Sequence, residues 1–285
     1  MKQITVPVMK KIADLFLILT LTAGLSTGCS KDREDPPAFP PAESMKIDFS
    51  NFDTEKKHSS YYLSKGIENV NWEFSALVAG YWNSIIVTTL AIPVITFNLA
   101  LDASPVYVND KTWEWKYEAK IFTATYKARV TGQVRTQDVE WKMYVSREGS
   151  GGFAEFLWIQ GTSKLDGTGG QWILNHSSSY KEPVIQIDWT ANSNSVETVK
   201  YTYVRVLNDS RVDDPFRNSY IEFGKKSGSY NAYYSIHYFN GYDFSDMQVE
   251  WSTTGKQGRV KCAEFFADDK WHCWNGNYIN VICPD

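Results

Sequence analysis

The sequence predicts a mainly β protein: a large curved antiparallel sheet, or a partly open barrel, of about ten to twelve meandering strands, with an N-terminal apolar helical segment packed on it. Three observations carry this expectation. From Thr112 onward apolar and polar residues alternate with period two, as in Val139, Trp141, Met143 and Val145, or Ile185, Ile187 and Trp189. Turn-forming clusters punctuate the alternation, among them Glu148–Gly152, Asp166–Gly170, Asn240-Gly241 and Asn275-Gly276. Residues 74–101 carry no charge, and Phe74, Leu77/Val78, Tyr81/Trp82 and Ile85 recur there at helical spacing.

The chain opens on Lys2, Lys10 and Lys11, followed by an apolar run over residues 15–25. That run is too short for a stable membrane span. Small residues Ser26, Thr27 and Gly28 then lead to Cys29. This arrangement resembles the signal peptide and lipobox of a bacterial lipoprotein. It departs in having Ser26 three places before the cysteine, with Leu25 one place further back. The resemblance implies that residues 1–28 are removed, that the Cys29 sulfur carries lipid such as palmitate, and that the membrane is a partner through that lipid. Ser30–Asp35 resembles the acidic export signal of surface lipoproteins of the Bacteroidota, with Arg33 interrupting the acidic run. It implies a lipid-anchored protein of the outer membrane, exposed at the cell surface.

Pro36-Pro37-Ala38-Phe39-Pro40-Pro41-Ala42 disfavours helix. Residues 29–44 are therefore expected to be a lipidated cysteine and an extended tether, lifting the domain about 45 Å from the membrane. Residues 45–285 are expected to form a single β-rich domain, because no further linker interrupts them. The formal charge of the 285 residues is −4, and loss of residues 1–28 brings it near −6. An acidic chain without a dense basic patch argues against nucleic acid.

Met45–Ser50 alternates and predicts a strand. A helix is expected over residues 69–91. Its lack of a charged face predicts burial on most sides. Pro93 should end or kink it, with a short second helix to about Ala100. The β-branched runs at 85–89 and 94–97 offer a strand pair as a rival, and the 28 uncharged residues are also long enough to cross a membrane. Beyond Thr112 there is no room for crossover helices, so the strands must pair antiparallel.

The chemistry is sparse. His58, His176, His237 and His272 have no metal-ligand spacing, and neither metal nor cofactor is expected. Glu155 and Glu264 each share a strand face with apolar residues. Burial there raises a carboxyl pKa, and two such groups across a groove suit glycoside hydrolysis. Aromatics make up 15% of the chain, more than most cores need. Trp113 and Trp115 lie two apart on one strand face; together with Trp158 they are the candidate platform for a glycan or apolar ligand. Cys262, Cys273 and Cys283 fall in the last 24 residues. In an oxidising compartment one disulfide is expected among them, with Cys262–Cys273 preferred. A two-residue Asn275-Gly276 turn would leave Cys273–Cys283 poorly placed.

The function expected from these features is a non-enzymatic surface protein that binds an apolar small molecule or a glycan. The alternatives are a structural or adhesive surface protein without a pocket, and a glycosidase-like enzyme using Glu155 and Glu264.

Overall fold

The computed structural model describes residues 35–52, 67–121, 123–192 and 195–284. The expected signal segment, Cys29 and Ser30–Glu34 lie outside the described residues. The folded unit begins at Asp35.

Fourteen strands form one antiparallel sheet whose spatial order is the order of the chain. They are β1 (Val106–Asn109), β2 (Thr112–Ile121), β3 (Ala124–Val134), β4 (Asp138–Glu148), β5 (Phe153–Lys164), β6 (Gly169–Asn175) and β7 (Pro183–Asn192). The second half comprises β8 (Ser195–Tyr203), β9 (Tyr220–Lys225), β10 (Ala232–Phe239), β11 (Phe244–Trp251), β12 (Gly258–Lys261), β13 (His272–Trp274) and β14 (Asn280–Val281). The sheet exceeds the expected strand count because it ends in very short pieces. β1 and β12 have four residues each, β13 three and β14 two.

Alternation sorts the side chains between two faces. Trp141, Trp172, Trp251, Trp274, Tyr234 and Met143 are fully buried on the inner face. The outer face carries ion pairs, such as Arg129 with Glu155 at 2.8 Å and Arg259 with Glu250 at 2.6 Å. Arg129 also lies over the Tyr144 ring, 4.1 Å from its centre. Such pairs, only partly exposed, give that face its polar character.

The sheet does not close, and β1 and β14 remain its two edges. Among the described residues one long helix, α1 (Val70–Leu99), lies across the opening. Near its start the Asn71 amide donates to the Cys273 carbonyl of β13 at 2.9 Å. Near its end the Tyr117 hydroxyl of β2 donates to the Thr96 carbonyl at 2.5 Å. The expected break at Pro93 does not occur; the helix runs on to Leu99. Pro93 removes one backbone donor, but its ring is buried within the packed face. Packing thus outweighs the local cost, and also the β-branched runs that favoured strands. Nor is α1 buried on most sides. It closes a gap in a curved sheet, so one face meets the core and the other points away from it.

Residues 35–52 form a strap across the inner face. The expected tether is therefore partly core. Phe39 stacks on Trp141 at 4.8 Å and meets Trp115 edge-on at 4.7 Å. The Ser44 hydroxyl accepts from the Trp172 indole at 3.2 Å, and the Asp48 carbonyl accepts from the Tyr234 hydroxyl at 2.5 Å. Met45, Ile47 and Phe49 are buried, while Lys46 and Asp48 are exposed. The period-two burial expected of this stretch is present, but among the described residues its backbone joins no strand ladder. Only Ser30–Glu34 separate Cys29 from the folded unit, a reach of at most about 20 Å rather than 45 Å.

The disulfide joins Cys273 to Cys283, with Cα atoms 5.1 Å apart, and Cys262 is a buried free thiol. The preferred Cys262–Cys273 pairing fails on direction. Cys273 pairs with Arg259, whereas Cys262 shares the inner face with Val260. Successive strand residues point to opposite faces. The turn is also longer than expected. Trp274 pairs with Asn280 and Cys273 with Val281, so five residues form the loop and Cys283 comes within reach of Cys273.

Candidate functional site

The expected aromatic platform is closed. Trp113 and Trp115 are each only 3% exposed. Tyr107 packs against Trp113 at 5.2 Å, and Phe39 of the strap covers Trp115. Trp158 stands elsewhere, as the extra residue of a bulge between the pairs Met143–Ile159 and Tyr144–Leu157. It packs against Phe153 and Phe156 at 5.9 and 5.4 Å and is half-buried. The three tryptophans do not form one surface. The apolar area that made them attractive as a platform is the area that the core consumes.

The two glutamates are also apart. Glu155 points outward from β5 to Arg129. Glu264 belongs to the one-turn helix α2 (Ala263–Phe266), which follows β12, seven strands along the sheet from β5. It accepts a 2.7 Å hydrogen bond from the Tyr238 hydroxyl. That bond, helped by Ser245, holds the Glu264 carboxyl below its ordinary pKa. A general acid needs the opposite shift. Among the described residues, no group of three or more His, Cys, Asp or Glu side chains is placed to hold a metal. His237 bonds to Asp246 at 2.7 Å and His272 to Asp268 at 2.9 Å, each as an isolated pair.

The concave side does hold a half-open cavity of about 740 Å³, formed where the strap crosses β8 and β9. Its floor is apolar, built from Ile47, Phe49, Val196, Val199 and Phe223. Each of these is buried. Its rim is polar and carries both signs of charge, with Lys46 and Lys225 beside Glu43 and Asp48. Asn83 reaches the rim from the middle of α1. A second cavity, of about 480 Å³, lies beneath Pro37–Pro41 and against the β5–β6 hairpin. Pro41 and Ser195 line both, so the strap divides one groove into two chambers. Trp189 lines the second chamber, and its indole N–H is buried without a hydrogen-bond partner among the described residues. A buried donor of this kind is completed by water or by a ligand acceptor.

An apolar floor with a few polar groups at the mouth suits an amphiphile or a sugar ring of modest size. The sequence contained one signal for this site, the alternation of Ile47 and Phe49. It did not show that their stretch crosses β8 and β9. No family model, no curated protein and no solved structure matches the chain.

Proposed function

We propose that the chain is a lipid-anchored protein of the outer cell surface that holds a small, largely uncharged ligand in the divided groove beneath its strap. The observation that carries the binding part is the 740 Å³ cavity with its apolar floor and mixed-charge rim. The pattern leading to Cys29 supports the anchor, the membrane partner and the location. The ligand class is an apolar small molecule, a lipid or a glycan. The rim charges balance, so salt has little to screen.

A second reading is a structural or adhesive surface protein. It is favoured by the solid packing of Trp141, Trp172, Trp251 and Trp274 over the rest of the inner face.

One experiment separates the two. The chain is purified from its native host, and co-purifying small molecules are identified by mass spectrometry, then titrated back with tryptophan fluorescence at low and high salt. Ser195→Trp, at an exposed position on both chambers, should weaken binding by about tenfold or more without lowering the melting temperature. Unchanged affinity would place the ligand elsewhere. No saturable ligand would favour the structural reading.

A further inference from the structure

The two sides of α1 differ sharply. Ala76, Ala79, Leu90, Val94 and Phe97 are buried against the sheet. Opposite them stand Leu77 (68% exposed), Tyr81 (65%), Ile85, Ile95 (45%) and Leu99. At 100° per residue these five fall within about 80° of the helix circumference, in a stripe about 33 Å long. No charged residue lies between Glu73 and Asp102. The Thr88 and Thr89 hydroxyls donate to the Ser84 and Ile85 carbonyls at 2.7 and 2.8 Å, so these polar groups are satisfied within the helix. With Ser84 and Thr88 as its polar members, this stripe matches in extent the largest apolar patch of a typical monomer, the kind of patch that often marks an interaction site.

We infer that α1 lies along a bilayer surface with the Leu77–Leu99 stripe against lipid; this rests on the anchor at Cys29. Chain length supports the placement. The folded unit starts at Asp35, six residues after Cys29, so an acylated Cys29 keeps the unit within about 20 Å of the membrane. The strap then fixes Phe39 beside Phe97 of α1, with ring centres 5.7 Å apart. Phe39, four residues into the described chain, is thus packed beside the C-terminal part of α1. A crossing helix does not fit. α1 is long and apolar enough to span, but Asn71 and Thr96 tie it to the sheet toward both ends. A second copy is a poorer occupant. A stripe one helix wide offers about 330 Å², well under the roughly 800 Å² per partner of a stable interface.

The test uses the full chain, expressed in a bacterium that processes lipoproteins. A photoreactive benzophenone residue replaces Leu77, Ile95 or, as a control on the outer sheet face, Thr131. Irradiation should give phospholipid adducts at Leu77 and Ile95 at least about tenfold above Thr131. Leu77→Glu with Ile95→Glu, both at exposed positions, should reduce adducts from a probe at Tyr81 by about tenfold. Adducts to a second copy, or no lipid adducts at Leu77 and Ile95, would overturn the inference. The mass of the Cys29 peptide is measured in the same sample. Acylated Cys29 without lipid adducts on α1 defeats the docking alone. Unmodified Cys29 with adducts on α1 defeats the anchor and leaves the docking standing.

Discussion

Trp172 covers Gly161 so closely that a Cβ added to the glycine would lie 2.5 Å from the indole Cε3, and 2.2 Å from the Gln171 carbonyl oxygen. The relationship recurs along the inner face. Gly132 lies against Trp141, Gly170 against Trp189 and Gly258 against Trp274, each pair facing across neighbouring strands. A sheet that packs so many indoles on its concave side needs places without side chains to receive them. Gly161→Ala and Gly258→Ala should each cost about 1–3 kcal/mol by overpacking. Gly80 of α1 has open space around it. Gly80→Ala should instead stabilise by about 0.5–1 kcal/mol through helix propensity. Urea midpoints of the three variants decide, and equal shifts would refute the argument.

The Asn71 side chain ties the start of α1 to β13, and its backbone N–H donates to the Asn280 side chain at 3.2 Å. Asn71→Ala strands the buried Cys273 carbonyl and should cost about 1–3 kcal/mol. Hydrogen exchange should show the loss concentrated in the first turns of α1 and in β13–β14. A uniform change across the sheet would contradict a local tie.

Mass spectrometry of the alkylated, non-reduced chain should find Cys273 linked to Cys283, and Cys262 modified only after denaturation, since it is buried. Cys283→Ser should destabilise by about 2–3 kcal/mol, the closure entropy of so short a loop. Three freely alkylated thiols in protein from an oxidising compartment would disprove the bridge.

Several tyrosines should resist ionisation. Burial raises the pKa of Tyr117, Tyr201 and Tyr234. Tyr203 is pushed up to about 12, first by burial and then by its 2.8 Å bond to Asp214. A raised folded-state pKa contributes stability in full below the unfolded value, near 10, and that contribution is lost as pH rises through the folded value. Stability should therefore fall as pH climbs from about 10 towards 12, with phenolate absorbance rising together with the loss of circular dichroism. Phenolate formation well before unfolding would contradict these environments.

Much of the β architecture was legible because period two survives in single residues: Val139, Trp141, Met143 and Val145 all point inward. The uncharged stretch from Phe74 to Leu101 likewise revealed a helix. What was not legible was whatever depends on the partner across space. Met45, Ile47 and Phe49 show the alternation of a strand, yet their partners are side chains beneath a strap. Trp113 and Trp115 gave no sign that Phe39 would cover one of them. Gly169 and Gly170 read as turn residues, but they begin β6, where Gly170 makes room for Trp189. The disulfide was misassigned because strand register depends on loop length, and Asn275-Gly276 opens a five-residue loop.

The strap also fixes an order of events during folding. It is synthesised before the sheet, but Ser44 meets Trp172 128 residues later, and Asp48 meets Tyr234 186 residues later. Asn71 and Cys273 are 202 residues apart. Closing such long loops costs entropy before any contact repays it, and chains with many distant contacts fold slowly. The meander can assemble hairpin by hairpin from neighbouring strands, whereas the strap and α1 must wait for both ends of the sheet. Until then the inner tryptophans remain open to water, and the chain exposes aggregation-prone apolar surface for longer than its hairpins alone would require.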